Sequence, residues 1–208
     1  MVTFLRPASL AEAVAAIRDT HGSLRFRGGG TKTSWEQGHG DAPGTLLATT
    51  ALHRILDHQR DDFTVTVEAG LAFADLQAAL RPSGQWVPLD PPTADAGATV
   101  GGVFATDEAG PRRLRHGTLR DLVIGITTVL PDGTLARAGG RVIKNVAGYD
   151  LARLHCGAFG TVGLVAELTI RLAPLPAASR TLRIPAAASR ATSLAADLLA
   201  GPAEPGGV

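Results

Sequence analysis

Arg27-Gly28-Gly29-Gly30-Thr31-Lys32-Thr33 sets three consecutive glycines between two cations. Unhindered backbone N–H groups in a concave turn, with Arg27 and Lys32 alongside, suit a phosphate or a pyrophosphate. Two familiar phosphate loops fail on spacing. A Walker-type loop needs Gly directly before the Lys and another five residues before that, but Thr31 and Phe26 stand there. A Rossmann fingerprint that starts from Gly28 and Gly30 needs its third Gly where the chain has Thr33. A tight turn carrying surface polar residues accounts for the loop equally well.

Two further clusters have the same character. Gly97-Ala98-Thr99-Val100-Gly101-Gly102 follows a proline-broken approach, and Gly157-Ala158-Phe159-Gly160-Thr161-Val162-Gly163 precedes the last strong strand pattern. Small residues leave backbone amides open in each. A long ligand with two phosphates could touch all three, and FAD is such a ligand. Its pyrophosphate needs amide donors, and its adenine and flavin rings need flat apolar slots. The alternative is that each cluster only turns the chain.

These loops must be held by regular elements, and the pattern supplies them. Ser9-Leu10-Ala11-Glu12 reads as a capping box, with Glu12 reaching back to the Ser9 N–H, and Val14 and Ile17 share a helical face. Short strands are expected at Leu24–Phe26, leading into the glycine loop, and at Leu46–Thr49. Phe63 to Glu68 alternates as a half-buried strand does, and Phe73, Leu76 and Leu80 recur at helical spacing. Leu122 to Leu130 reads as a strand, Pro131-Asp132-Gly133 as a turn and Leu135 as the start of the return strand. Leu164, Ala166, Leu168, Ile170 and Leu172 are expected on one face of a further strand. After Pro174 the chain is rich in Ala, Pro and Ser, with a helical patch at Ser193–Ala200. The fold class is α+β: a small β/α lobe (1–55), a larger antiparallel-sheet lobe (56–175), and a linker or the start of a truncated C-terminal domain (176–208).

Composition narrows the partners. The net charge is +1, which points to neither nucleic acid nor an anionic membrane surface. No apolar run is long enough to span a bilayer, and residues 1–20 lack a signal-peptide pattern. Cys156 is the only cysteine, which excludes an internal disulfide or a Cys-cluster metal site and fits a reducing cytoplasm.

Other polar residues have modest readings. Lys144 could approach a cofactor phosphate, but Asn145 supporting a turn, Tyr149 packing and Asp150 capping a helix is the simpler account. Arg112, Arg113, Arg115, Arg120 and His116 form the densest basic run, expected to be a solvated face. Cys156 is expected to be a buried cysteine at a helix end. Asp90, Asp95, Asp107 and Glu108 are loop carboxylates with no visible pairing.

Residues 115–176 carry a resemblance. The runs RDLVIG, LPDGTLARAGG, KNVAGYDLARL and GTVGLVAE together resemble the PCMH-type FAD-binding domain of the vanillyl-alcohol oxidase family. Within it they are most similar to the subunits of bacterial glycolate oxidase and to D-lactate dehydrogenases. GATVGGVFAT followed by GPRR resembles the FAD-binding subunit of glycolate oxidase more than its dehydrogenase-like subunit. The resemblance implies a cofactor site at Arg27, Gly28, Gly29, Gly30, Thr31, Lys32 and Thr33, at Gly97, Ala98, Thr99, Gly101 and Gly102, and at Gly157, Gly160, Thr161, Val162, Gly163 and Val165. It implies non-covalent FAD, because the loop holds no His of the kind that anchors flavin in many members and His39 lies too far along. On this reading Gly29→Asp sets a negative charge against the pyrophosphate. The resemblance further implies oxidation of a 2-hydroxy acid such as glycolate to glyoxylate. It implies a catalytic flavoprotein subunit and an iron–sulfur subunit as partners, and a place in the cytoplasm or at the inner membrane through them. The open alternatives are a non-catalytic FAD-binding or scaffold subunit of such a complex, and a fragment of a D-lactate dehydrogenase-like flavoenzyme. The catalytic base is not identified.

Overall fold

Ser9 caps the first helix as expected, accepting the Glu12 N–H at 3.2 Å, but Glu12 reaches back one residue further than the capping box predicts, to the Ala8 N–H at 2.9 Å. The structure, a computed structural model, describes residues 2–35, 44–140, 149–202 and 204–207. His39, Lys144 and Asn145 lie outside the described residues.

The first elements are β1 (Val2–Leu5), α1 (Leu10–Arg18), β2 (Leu24–Arg27) and β3 (Gly44–Ala48). The three strands form a parallel sheet in the order β1-β3-β2. Ala13 and Ile17 of α1 are buried, with Leu47 of β3, in the smaller of two cores.

The chain continues through β4 (Ile55–Gln59), β5 (Thr64–Glu68), α2 (Phe73–Leu80), β6 (Gln85–Trp86), α3 (Val100–Ala105), α4 (Arg113–His116), α5 (Leu119–Leu122), β7 (Val123–Val129), β8 (Leu135–Gly139), α6 (Leu151–His155), β9 (Leu164–Arg171), β10 (Ala173–Pro174) and α7 (Ala188–Ala200). A five-stranded sheet in the order β4-β5-β9-β7-β8 is antiparallel throughout. β6 and β10 form a separate antiparallel pair. α7 begins five residues before the expected patch and buries none of its residues.

Two strand readings are revised. β5 lies between β4 and β9, and its polar alternation does not mark a solvated face: Thr64 and Glu68 are buried. Glu68 is satisfied there by Arg54, at 2.7 Å from the backbone N–H and 2.8 Å from the guanidinium. On β9, Leu164 and Ala166 belong to the smaller core, while Val165, Leu168 and Ile170 belong to the larger one. The register with β7 slips there, Thr127 facing Glu167 and Thr128 facing Val165. This bulge at Ala166 re-aims the strand, so a single strand serves both cores and its apolar residues do not share one face.

Tyr149, expected to pack, is 91% exposed. Asp150 does cap α6, accepting the Arg153 N–H at 2.9 Å.

Candidate functional site

The strand β2 ends at Arg27, and the three glycines follow at once. They do not form an isolated turn. A Cβ built on Gly28 would collide with the Thr99 hydroxyl, and one on Gly29 with the Gly97 carbonyl oxygen. Thr99 is itself fixed, because its hydroxyl accepts the Gly102 N–H at 3.1 Å and caps α3. The first two clusters therefore pack tightly, Gly29 against the Gly97 backbone and Gly28 against the Thr99 side chain, contacts that a side chain on Gly28 or Gly29 would block.

The third cluster joins from the other side. The Phe159 N–H donates to the Ala105 carbonyl at 2.8 Å, and the Gly157 N–H to the Phe104 carbonyl at 3.3 Å, which ties this loop to the end of α3. Together the clusters enclose a cleft of about 730 Å³, solvent at its mouth included. Arg27 through Thr33 line it without a gap, with Thr99, Gly101, Gly102, Gly160, Gly163 and Val165. Gly97, Ala98, Gly157, Thr161 and Val162 do not line it. Gly97 stands behind Gly29, and Ala98 is fully buried.

Other lining residues carry no sequence signal of their own. Thr49 and Ala69 follow β3 and β5, and Ala105 and Thr106 close α3. Phe26 and Phe159 contribute aromatic rings. Phe159 is the unusual one: its φ is +53°, in the left-handed region, and 43% of it is exposed. Bulky residues rarely adopt that conformation. Its place inside the third glycine cluster was the hint in the sequence.

The two cations of the first loop differ. The Arg27 guanidinium folds against Gly30, with Nε and Nη2 both 2.7 Å from where a Cβ would stand. Among the described residues Arg27 forms no ion pair. Lys32 is 8% exposed and forms an ion pair with Glu108, which is 5% exposed. Its ammonium also donates to the Thr93 hydroxyl at 2.9 Å and to the Thr31 hydroxyl at 3.3 Å. Thr93 donates its backbone N–H to Glu108 at 2.9 Å and its hydroxyl at 2.7 Å. Burial pushes the Glu108 carboxyl up, but the hydrogen bonds from Lys32 and Thr93 outweigh it and hold the group below its ordinary value. Glu108 is thus paired, contrary to the sequence reading.

Asp90 is paired as well. Its carboxylate accepts the Arg112 N–H at 3.1 Å and lies 3.9 Å from the Arg112 Nε. Arg112 stacks over Trp86 at 4.6 Å, and His116 meets the same ring edge-on at 6.2 Å. Arg113, Arg115 and Arg120 are exposed, as a solvated face requires. Cys156 ends α6 half-buried, donating to Asp107 at 3.4 Å; burial first, then the Asp107 charge, push its thiol up to about 12.

Without a ligand in view, the wall itself tests the fit to a dinucleotide. Its lining includes Gly28, Gly29, Gly30, Gly101 and Gly102, whose backbone carries no side chain, with Arg27 folded against Gly30, and Phe26 and Phe159 supply apolar surface. Open amides with a free cation suit a pyrophosphate, and aromatic flanks suit flat rings.

Comparison with known proteins gives the same answer. The profile of the family described as FAD binding domain matches residues 2–139. The chain is 38% identical over 140 residues to glycolate oxidase subunit GlcE of Escherichia coli, which covers 67% of this chain and 40% of that protein. It is 37% identical over 139 residues to glycolate oxidase subunit GlcD of Bacillus subtilis, covering 67% and 29%. With the mitochondrial D-lactate dehydrogenase [cytochrome] of Arabidopsis thaliana it is 38% identical over 142 residues, covering 67% and 24%. The aligned stretch therefore spans less than half the length of these curated relatives.

Proposed function

This chain belongs to the FAD-binding domain family, which makes FAD its cofactor, and from that premise we propose that it is the FAD-holding part of an oxidoreductase acting on a 2-hydroxy acid such as glycolate. The observation that carries the proposal is a cleft lined by Arg27 through Thr33 together with Thr99, Gly101, Gly102, Gly160 and Gly163, so that residues of all three glycine clusters meet in it. In it the amides of residues 28–31 and the Arg27 guanidinium would hold the pyrophosphate, and Thr99, Gly102, Gly160 and Gly163 would bound it. Bound FAD would supply a two-electron acceptor for the α-carbon hydride of the substrate.

The described residues of this cleft hold and orient; none of them is a group that would take the substrate proton. Among the described residues the cleft lining contains no carboxylate and no imidazole. A general base is needed for the hydroxyl proton, so we place it outside this wall. The same lining supplies no His or Cys to attach a flavin, which supports non-covalent binding. This division is consistent with a role beside a catalytic flavoprotein subunit, and the likeness to glycolate oxidase subunits leads us to propose such a partner together with an iron–sulfur subunit. No helix among the described residues is long and apolar enough to cross a membrane. We propose that any membrane association is peripheral, through those partners.

The test is a visible spectrum of the purified protein followed by acid precipitation. A flavin spectrum whose colour passes into the supernatant as FAD is the expected outcome. A colourless protein that takes up no added FAD would overturn the assignment, and colour retained in the pellet would overturn the non-covalent part. Dye reduction by glycolate or D-lactate in the isolated chain would overturn the division of labour.

A further inference from the structure

We propose that Glu108 is a positioning residue for the first glycine loop, acting through Lys32, and that Lys32 is a strut of that loop and not a ligand of the cofactor phosphate. The proposal rests on the FAD reading of the cleft.

An ammonium has three N–H donors. Lys32 directs its donors to Glu108, to the Thr93 hydroxyl at 2.9 Å and to the Thr31 hydroxyl at 3.3 Å. No donor remains for a phosphate oxygen. The charge is also answered, by a carboxylate almost as buried as the ammonium. Thr93 completes the unit: its hydroxyl accepts from Lys32 and donates to Glu108, while its N–H donates to the other carboxylate oxygen. Every hydrogen bond in the group has a chemically consistent direction.

The unit also has a mechanical place. It joins the loop after β2 to a segment more than sixty residues further on. That segment already meets the loop at two points, Thr99 against Gly28 and Gly97 against Gly29. The glycine contacts fix how closely the loop approaches. They are backbone and van der Waals contacts without direction. The Lys32–Glu108 pair supplies the directional tie at the far end of the loop. Arg27, without an ion pair among the described residues, is left as the loop's cation for a phosphate.

Breaking one side of a buried ion pair leaves an uncompensated charge, whereas removing both sides does not. Lys32→Met, Glu108→Gln and the double variant separate the two roles. FAD dissociation constants are measured by titration at several salt concentrations. Hydrogen exchange of residues 28–33 is measured without FAD.

If Lys32 is a strut, each single variant weakens FAD binding at least about tenfold and speeds loop exchange. The double variant then recovers most of both losses, with the salt dependence of the native protein. If Lys32 is a phosphate ligand, Glu108→Gln leaves affinity unchanged or raises it. The double variant then matches Lys32→Met, with a weaker salt dependence, and the proposal falls. Unchanged loop exchange in both single variants also overturns it. Faster loop exchange with unchanged FAD affinity keeps the strut and overturns the placement of FAD on this loop. Should a single variant fail to fold, Thr93→Val keeps both charges and removes only the bridging hydroxyl, and the same readings apply with smaller amplitude.

Discussion

Gly29 approaches Gly97 so closely that a Cβ on the first would overlap the carbonyl oxygen of the second. The side of Gly29 that could carry a side chain therefore faces protein backbone and not a ligand. Gly29→Asp would act by displacing the loop, so it does not test a charge against pyrophosphate as the sequence suggested.

The discriminating pair is Gly29→Ala and Gly102→Ala. A Cβ on Gly102 meets only the Thr99 hydroxyl, at 3.1 Å, and Gly102 lines the cleft. Gly29→Ala is expected to cost about 1–3 kcal/mol of stability, as overpacking does, and to weaken FAD binding as well. Gly102→Ala is expected to change affinity more than stability. Urea denaturation and FAD titration of both variants check this.

Phe159 offers a test of opposite sign. Its left-handed backbone costs on the order of 1 kcal/mol that a glycine would not incur. Phe159→Gly is expected to raise the stability of the FAD-free protein or leave it unchanged, while FAD affinity drops severalfold with loss of the ring. Equal affinity in the two proteins would show that the ring does not touch the cofactor.

The pH dependence of stability has two arms. Burial holds the His155 imidazole below its ordinary 6.5, and among the described residues its Nε2 has no hydrogen-bond partner. The unfolded chain binds that proton first, so this contribution is complete above pH 6.5 and declines as pH falls through and below it. Glu108 and Glu68 are buried, which pushes them up, yet their hydrogen bonds to Lys32 and Thr93 and to Arg54 hold both below 4.5. Their contribution is intact above pH 4.5 and lost as pH falls further. Urea midpoints from pH 8 to pH 3 should show both declines. His155→Leu should shrink the upper one, leaving the part due to His116, which burial and then Arg115 and Arg112 also hold below 6.5, and gain about 1 kcal/mol by removing the unpartnered nitrogen.

Cys156 should resist alkylation. With its thiol pushed up to about 12, the thiolate that alkylating reagents require is scarce at pH 8. Iodoacetamide should modify the folded protein far more slowly than the urea-unfolded chain. Similar rates would show the thiol to be free of Asp107.

The sequence made local features legible and left remote ones hidden. The glycine clusters pointed to the cleft because each is a run of near neighbours along the chain. The Pro131-Asp132-Gly133 turn and its return strand were readable for the same reason. Lys32 beside the glycines looked like a phosphate ligand, because its actual partner lies far along the chain and charge alone carries no address. The polar alternation of β5 suggested water on one side, but Arg54 supplies Glu68 with its partner and allows burial. The bulge at Ala166 left no mark, since period-two alternation continues across it in sequence while the chain bends in space.

That same strand sets the order in which the molecule can be assembled. β9 lies between β5 and β7, pairing Thr64 with Arg171 and Ile126 with Leu168. Until it is made, β4–β5 and β7–β8 are two hairpins whose inner edges have no partner. During synthesis the chain must hold both edges open until residues near 171 have emerged. Because β9 also carries Leu164 and Ala166 into the smaller core, its arrival closes both cores in one event. Such long-range pairing is slow, and unpaired edges invite contact between nascent chains. Truncation before β9 should therefore yield an aggregating product and not a smaller folded unit.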